Sequence, residues 1–219
     1  MPDPRRQAKE EPTRPVVFIV DDDMAMREAL TDLFRSMKFD AEAFESTVDF
    51  LERADLGRHG CLLLDVRLPG ISGLDFQAQL ERLGNRMPII FMTGFGDIPM
   101  TVRAMKAGAV DFLTKPFKEQ DILDAVAAAM ERDRSRRRES AQNAAITSLA
   151  EQLTPREREV MMAVVRGLMN KQIAYELGIS EVTVKLHRGN VMRKMEAHSV
   201  ADLVRKVELL GDRHRPPVS

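Results

Sequence analysis

Five times between residues 16 and 130, a short strand-like run gives way to a segment with the period of an amphipathic helix. The runs are 16–20 (Val-Val-Phe-Ile-Val), 41–44, 61–64, 88–92 and 110–113. The unbroken apolar runs at 16–20, 61–64 and 88–92 suit strands covered on both faces, and a repeated β-α alternation implies a parallel, doubly wound sheet. The sharpest stretch is 60–70, where Cys61 to Leu64 run straight into Asp65 and then Pro69-Gly70. Periodicity alone leaves a helix piece open there, but Gly60 before it and Pro69-Gly70 after it favour a strand.

An Asp in that place can simply start a turn. Its companions argue for more. Run 16–20 ends in Asp21-Asp22-Asp23, run 88–92 in Thr93-Gly94 and run 110–113 in Thr114-Lys115-Pro116. In a parallel sheet these ends share one edge, and ligands bind at that edge in open α/β sheets. One of the three Asp residues can cap the next helix, and Asp23 is placed for it. Three together crowd like charges that a cation would offset. Three carboxylates, an ammonium and a hydroxyl suit Mg²⁺, which takes oxygen ligands. An Asp can also act as the nucleophile in phosphoryl transfer, with Lys115 offsetting charge and Thr93 donating to a phosphoryl oxygen. A cis Lys115-Pro116 bond would aim the lysine inward.

The helices carry their own signals. Asp23 precedes a stripe of Met26, Ala29, Leu30, Leu33, Phe34 and Met37. Ser46 with Asp49 resembles a weaker, Asp-bearing capping box that opens a helix to about residue 54. Ser72 and Asp75 open another, with Leu74, Ala78 and 80–83 as its stripe, and Asp97 caps a third that ends before Gly108. A last helix of this half uses Ile122, Leu123, Val126, Ala127 and Met130.

Charge divides the chain. Residues 16–127 hold 12 Lys/Arg against 19 Asp/Glu, whereas 153–215 hold 12 against 8. An acidic half joined to a basic half predicts two domains with different partners, the basic one suited to nucleic acid. The single cysteine excludes an internal disulfide, fits a reducing compartment and reads as a buried apolar residue. No apolar run approaches the roughly 18 residues of a membrane span, and no apolar signal segment follows the basic N-terminus. A cytoplasmic protein with no membrane partner is expected. His59, His198 and His214 lie in unrelated segments without zinc spacing.

The expected boundaries are a disordered arm at 1–14, an α/β domain at 15–130, a charged helical linker at 131–152, an all-α domain at 153–212 and a flexible tail at 213–219. In the all-α part, Thr154-Pro155-Arg156-Glu157 is a helix start with Glu placed for a capping box. Val160, Val164 and Leu168 form the stripe of that helix. A second helix covers 171–177, Gly178-Ile179-Ser180 is a tight turn, and a third helix covers 181–195. Ser199 opens a fourth, with Val200, Leu203, Val204, Val207 and Leu210. Two short helices joined by a Gly-containing turn fit a helix-turn-helix, although a generic four-helix unit has the same outline. The third helix carries Thr183, Lys185, His187, Arg188, Arg193 and Lys194, a set suited to the major groove and its phosphates.

Residues 15–130 resemble a two-component receiver domain. Val20-Asp21-Asp22, 64–70, Met92-Thr93-Gly94, 108–113 and Lys115-Pro116-Phe117 carry the likeness. Residues 150–210 resemble a LuxR-type DNA-binding domain through 153–160, 170–174 and 183–188. Together they are similar to response regulators of the FixJ/NarL type, nearest the FixJ branch, with Phe95 where His is usual. The resemblance implies a five-stranded parallel (βα)5 receiver of sheet order 2-1-3-4-5, followed by a four-helix helix-turn-helix domain. It implies Asp65 as phospho-acceptor from a histidine kinase, and Mg²⁺ held by Asp21, Asp22, Asp65 and the Arg67 carbonyl. Thr93 and Phe112 would form the switch, and Lys115 the phosphate clamp. Lys185, Leu186 and Gly189 would face bases of promoter DNA, while Lys171, Thr183, Arg188 and Lys194 would hold phosphates. Gly189 reads no base by side chain and costs its helix about 1 kcal/mol against Ala. Phosphorylation would drive homodimerisation, release the DNA-binding domain or do both, and leave only slow self-dephosphorylation as catalysis. A Mg²⁺-dependent phosphatase, or a constitutive DNA binder with a vestigial receiver, are the rival readings.

Overall fold

The computed structural model describes residues 14–94 and 98–210. The arm before residue 14, Phe95, the Asp97 cap, His214 and the tail lie outside these residues. The chain divides between Arg136 and Arg137 into two compact units.

Up to residue 151, β1 (Val16–Val20), β2 (Asp40–Phe44), β3 (Gly60–Asp65), β4 (Ile89–Thr93) and β5 (Asp111–Thr114) alternate with α1 (Met24–Ser36), α2 (Thr47–Arg53), α3 (Gly73–Arg82), α4 (Ile98–Lys106) and α5 (Glu119–Glu151). All four strand pairings are parallel, in the order β2-β1-β3-β4-β5. This is the doubly wound sheet and strand order expected. Every residue of β1, β3 and β4 is buried, which is why those strands read as unbroken apolar runs. Alternate side chains enter opposite cores. Phe18, Phe44, Phe50 and Phe76 stack edge-on or tilted at 5.3–6.2 Å on one face. Val17, Ile19, Leu63 and Ile90 meet Leu30 and Phe34 of α1 and Ile122 and Val126 of α5 on the other. Cys61 sits in that second core as the sequence indicated, and burial pushes its thiol pKa up.

One stripe and one helix cap need correction. In α3 the buried positions are Gly73, Phe76, Gln77 and Leu80, while Ala78 and Leu83 are exposed. The inward face runs 73, 76, 77, 80, so position 78 falls outside it, and Leu83 is the C-cap residue beyond the last turn. Asp49 was expected to complete a capping box with Ser46. Ser46 accepts the Asp49 amide, but the Asp49 carboxylate is engaged by Arg53 at 2.7 and 2.9 Å.

Residues 131–152 fall largely within α5, which runs unbroken to Glu151. They are not uniformly solvated. Asp133 is fully buried, where it accepts from the Gly60 amide at 3.1 Å and pairs with His59 and Arg136. Ile146 and Ala150 are buried in the core of the second unit.

That unit contains α6 (Pro155–Val165), α7 (Asn170–Leu177), α8 (Glu181–Lys194) and α9 (Val200–Leu209). Thr154 and Glu157 form the full reciprocal capping box. Gly178 ends α7 in the left-handed region at φ 64°, as a C-terminal Gly can without a Cβ penalty, and the Ser180 side chain caps α8. The α7-turn-α8 pair is therefore a helix-turn-helix. Along α9, Leu203 and Leu210 are buried, Val204 and Val207 half-buried, and Val200 is exposed rather than core.

Candidate functional site

The register explains how distant residues meet. Val20 pairs with Leu64, so Asp21 and Asp65 leave the sheet at one level; Asp65 pairs with Met92, and Thr93 with Thr114. Carboxylate oxygens of Asp21, Asp22 and Asp65 all lie within 4.8 Å of one another. Lys115 reaches back across the edge, its Nζ 2.5 Å from Asp21 Oδ2 and 2.6 Å from Asp65 Oδ2. The Lys115-Pro116 peptide is cis. The Lys115 amide also donates to the Thr93 carbonyl at 2.7 Å, which seats the buried Thr93 beside the cluster.

The second oxygens of the two paired carboxylates are also held. Asp21 Oδ1 accepts the Asp23 amide at 3.0 Å, and Asp65 Oδ1 accepts the Arg67 amide at 2.8 Å. Gly73 permits the close approach of α3, since a Cβ there would stand 2.6 Å from the Asp65 carbonyl. Asp23 caps α1 by accepting from Ala25 and Met26, as its place predicted.

Burial raises the Asp21 pKa, against the opposing Lys115 hydrogen bond. Burial acts to lower the Lys115 pKa, but its hydrogen bonds to Asp21 and Asp65 outweigh it and the net direction is up. The cluster thus sets three acids against one ammonium, which bonds two of them. The donors are all oxygen, and two of the three acids are buried, which fits a hard divalent cation such as Mg²⁺. Phe112 is half-buried, its ring 6.4 Å from that of Phe91.

In the second unit, helix phase sorts the expected DNA contacts. Val184, Val191 and Met195 are buried, and Arg188 shares their side of α8. Arg188 therefore bonds inward to Asn170 Oδ1 at 2.8 Å. Lys194 also turns inward, to Glu157 at 2.6 Å and to the Gln152 carbonyl at 3.1 Å. Glu157 is buried, and the Lys194 hydrogen bond holds its pKa below the usual carboxylate range. Thr183 pairs with the Ser180 hydroxyl at 2.8 Å. Lys185, Leu186 and Gly189 form the outward face, with Leu186 63% exposed and open space around Gly189. Lys171 is exposed on α7.

Sequence reasoning missed Arg27, which binds the Asp21 and Asp22 carbonyls, and the pairing of Glu157 with Lys194. Arg27 had a weak signal, a cation one turn after the Asp23 cap. Glu157 had none beyond its capping role, because Lys194 lies 37 residues away.

Residues 17–127 match the family model of the response regulator receiver domain, and 151–207 that of the bacterial regulatory proteins of the luxR family. Nodulation protein W of Bradyrhizobium diazoefficiens is 57% identical over 91% of this chain and 88% of its own. The transcriptional regulatory protein FixJ of Azorhizobium caulinodans is 43% identical over 89% of this chain and 92% of its own. A solved structure of the response regulator StyR, 51% identical, superposes with a TM-score of 0.80 over 89% of this chain and 98% of that one. No described helix is long and apolar enough to cross a membrane. With both domains matched in order and relatives similar along most of their length, the chain belongs to the two-component response regulators, in the FixJ/NarL group that joins a receiver to a LuxR-type DNA-binding domain.

Proposed function

We propose that Asp65 accepts a phosphoryl group from a partner histidine kinase and that this controls dimerisation and promoter binding. The observation that carries the reading is the Lys115 ammonium held between Asp21 and Asp65, with Asp22 completing an acid cluster that has more negative than positive charge. An Asp65 carboxylate oxygen would attack phosphorus as the bond to the kinase histidine breaks and that nitrogen takes up a proton. Lys115 then follows the charge onto the phosphoryl oxygens, and the Thr93 hydroxyl donates to one of them. Asp21, Asp22, Asp65 and the Arg67 carbonyl would hold Mg²⁺, whose charge further offsets that of the phosphoryl group. Slow hydrolysis of the acyl phosphate returns the chain to rest.

Movement of Thr93, followed by Phe112, would alter the face that includes α4. That helix presents Ile98, Val102 and Met105, 81%, 44% and 43% exposed, at a spacing that puts them on one side. Such a stripe favours a second copy as its cover. Two linked DNA-binding domains then meet paired half-sites at high effective concentration. Lys185 and Leu186 face the bases, and Lys171 meets phosphate.

Sedimentation with Mg²⁺, with and without beryllofluoride as a mimic of the acyl phosphate, tests this. A monomer-to-dimer shift is expected. An unchanged sedimentation coefficient removes phosphate-controlled dimerisation from the reading.

A further inference from the structure

The loop 21–23 carries three adjacent acids that repel one another. Two sets of bonds organise its start and end. The Asp23 amide donates to Asp21 Oδ1 at 3.0 Å, and Asp23 Oδ1 accepts from the amides of Ala25 at 2.9 Å and Met26 at 3.4 Å. A third contact comes from the side chain of Arg27, half-buried in α1. Its Nη1 donates to the main-chain carbonyls of both Asp21, at 2.8 Å, and Asp22, at 3.0 Å. The bond to the Asp22 carbonyl grips the peptide of the one exposed acid in the cluster.

We propose that Arg27 is a positioning residue for the divalent cation: by holding two consecutive carbonyls on one guanidinium nitrogen, it sets the orientation in which the Asp21 and Asp22 carboxylates meet Mg²⁺. The proposal rests on reading the acid cluster as a Mg²⁺ site. The Arg27 bonds go to main-chain carbonyls of the loop and not to the carboxylates that would hold the cation, so it acts through the loop.

Charge and position pull in opposite directions here. Deleting a cation close to three carboxylates strengthens their attraction for Mg²⁺. Releasing the loop that aims them weakens it, and groups that orient metal ligands typically carry about 10–100-fold in affinity. The sign of the change therefore separates positioning from electrostatics, and a purely structural role would move the melting temperature alone.

The test is calorimetric titration of MgCl₂ into the metal-free full chain, alongside thermal unfolding in chelator. Arg27→Met is expected to bind Mg²⁺ about 10-fold more weakly or worse. Arg27→Lys, which keeps a donor and the charge, is expected to recover part of the loss. Arg35→Met removes a cation from the last turn of the same helix and is expected to stay within about twofold of the unmodified chain, because it lies outside the contacts that orient the ligands. Unchanged or tighter binding by Arg27→Met overturns the proposal, as does a lowered melting temperature with unchanged affinity. If Arg27→Met does not fold, Arg27→Gln is judged by the same criteria, and failure of both to fold also overturns it. Absence of Mg²⁺ binding by the unmodified chain sinks the underlying site reading, and is thereby told apart from failure at Arg27 alone.

Discussion

Each unit of the chain contains a half-buried lysine paired with a buried carboxylate, and the two pairs have nearly the same length. Lys115 lies 2.5 and 2.6 Å from Asp21 and Asp65, and Lys194 lies 2.6 Å from Glu157. Their surroundings differ. Glu157 meets one ammonium and also closes the α6 capping box on the Thr154 amide at 2.9 Å, so its charge is balanced and its pKa is lowered. In the receiver one ammonium serves a cluster of three acids, and the Asp21 pKa is raised by burial. A balanced pair strengthens the fold, whereas an unbalanced one leaves charge for a ligand to neutralise.

The largest effect expected from this contrast is at the unbalanced site. Asp65→Asn should abolish beryllofluoride-dependent dimerisation altogether, because the neutral amide cannot take up the phosphoryl mimic. Sedimentation of the variant with Mg²⁺ measures it. A surviving dimer shift would place the switch elsewhere.

At the balanced site the loss should appear as stability. Glu157→Ala leaves the half-buried Lys194 without its counter-charge and removes half of the capping box, so the DNA-binding unit should lose about 1–2 kcal/mol. Chemical denaturation of the second unit reads this, and phosphorylation of Asp65 should be unaffected. The same pair has a pH signature. A carboxylate whose folded pKa is depressed contributes stability above its ordinary value of 4.5 and loses it as pH falls through the lower folded value. Glu157→Gln should therefore flatten the acid limb of the unfolding profile. An unchanged acid limb would mean that other carboxylates set it.

How far each pair was legible depends on how local its cause is. The receiver cluster was visible because its acids and its lysine follow strand-like runs, and parallel pairing brings such ends to one edge. The sheet order came from resemblance, since alternation alone does not order strands. Asp133 was hidden inside a charge run. Its burial depends on the Gly60 amide and on His59, more than 70 residues away. Arg188 and Lys194 looked like free cations on a DNA-facing helix. Only the phase of α8, set by Val184, Val191 and Met195 against the core, turns them inward.

That phase predicts a smaller effect on DNA. Lys185 faces outward, whereas the cation of Lys194 is already paired. Lys185→Ala should weaken operator binding by about 1–3 kcal/mol, as expected for loss of a base contact. Arg193→Ala, on an exposed part of the same helix, should lower the salt slope by about one without relaxing sequence preference. Salt-matched titrations against the selected operator and against random duplex separate these outcomes. Equal losses on both duplexes for Lys185→Ala would reassign it to phosphate.

The smallest expected effect is also the strictest test of the contrast, because its sign is reversed. Asp22 is the exposed member of the acid cluster. If that cluster carries surplus negative charge in the absence of metal, neutralising one acid should relieve repulsion rather than break a support. Asp22→Asn should then raise the stability of the metal-free receiver by about 0.5 kcal/mol, within the usual range for surface changes. It should also reduce the further stabilisation that Mg²⁺ gives the unmodified chain through binding only the folded state. Melting curves in chelator and in excess MgCl₂ give both quantities on one sample. A destabilised metal-free variant would mean that the Asp22 carboxylate is balanced in the fold, and the distinction between the two lysine–carboxylate pairs would fail at that residue.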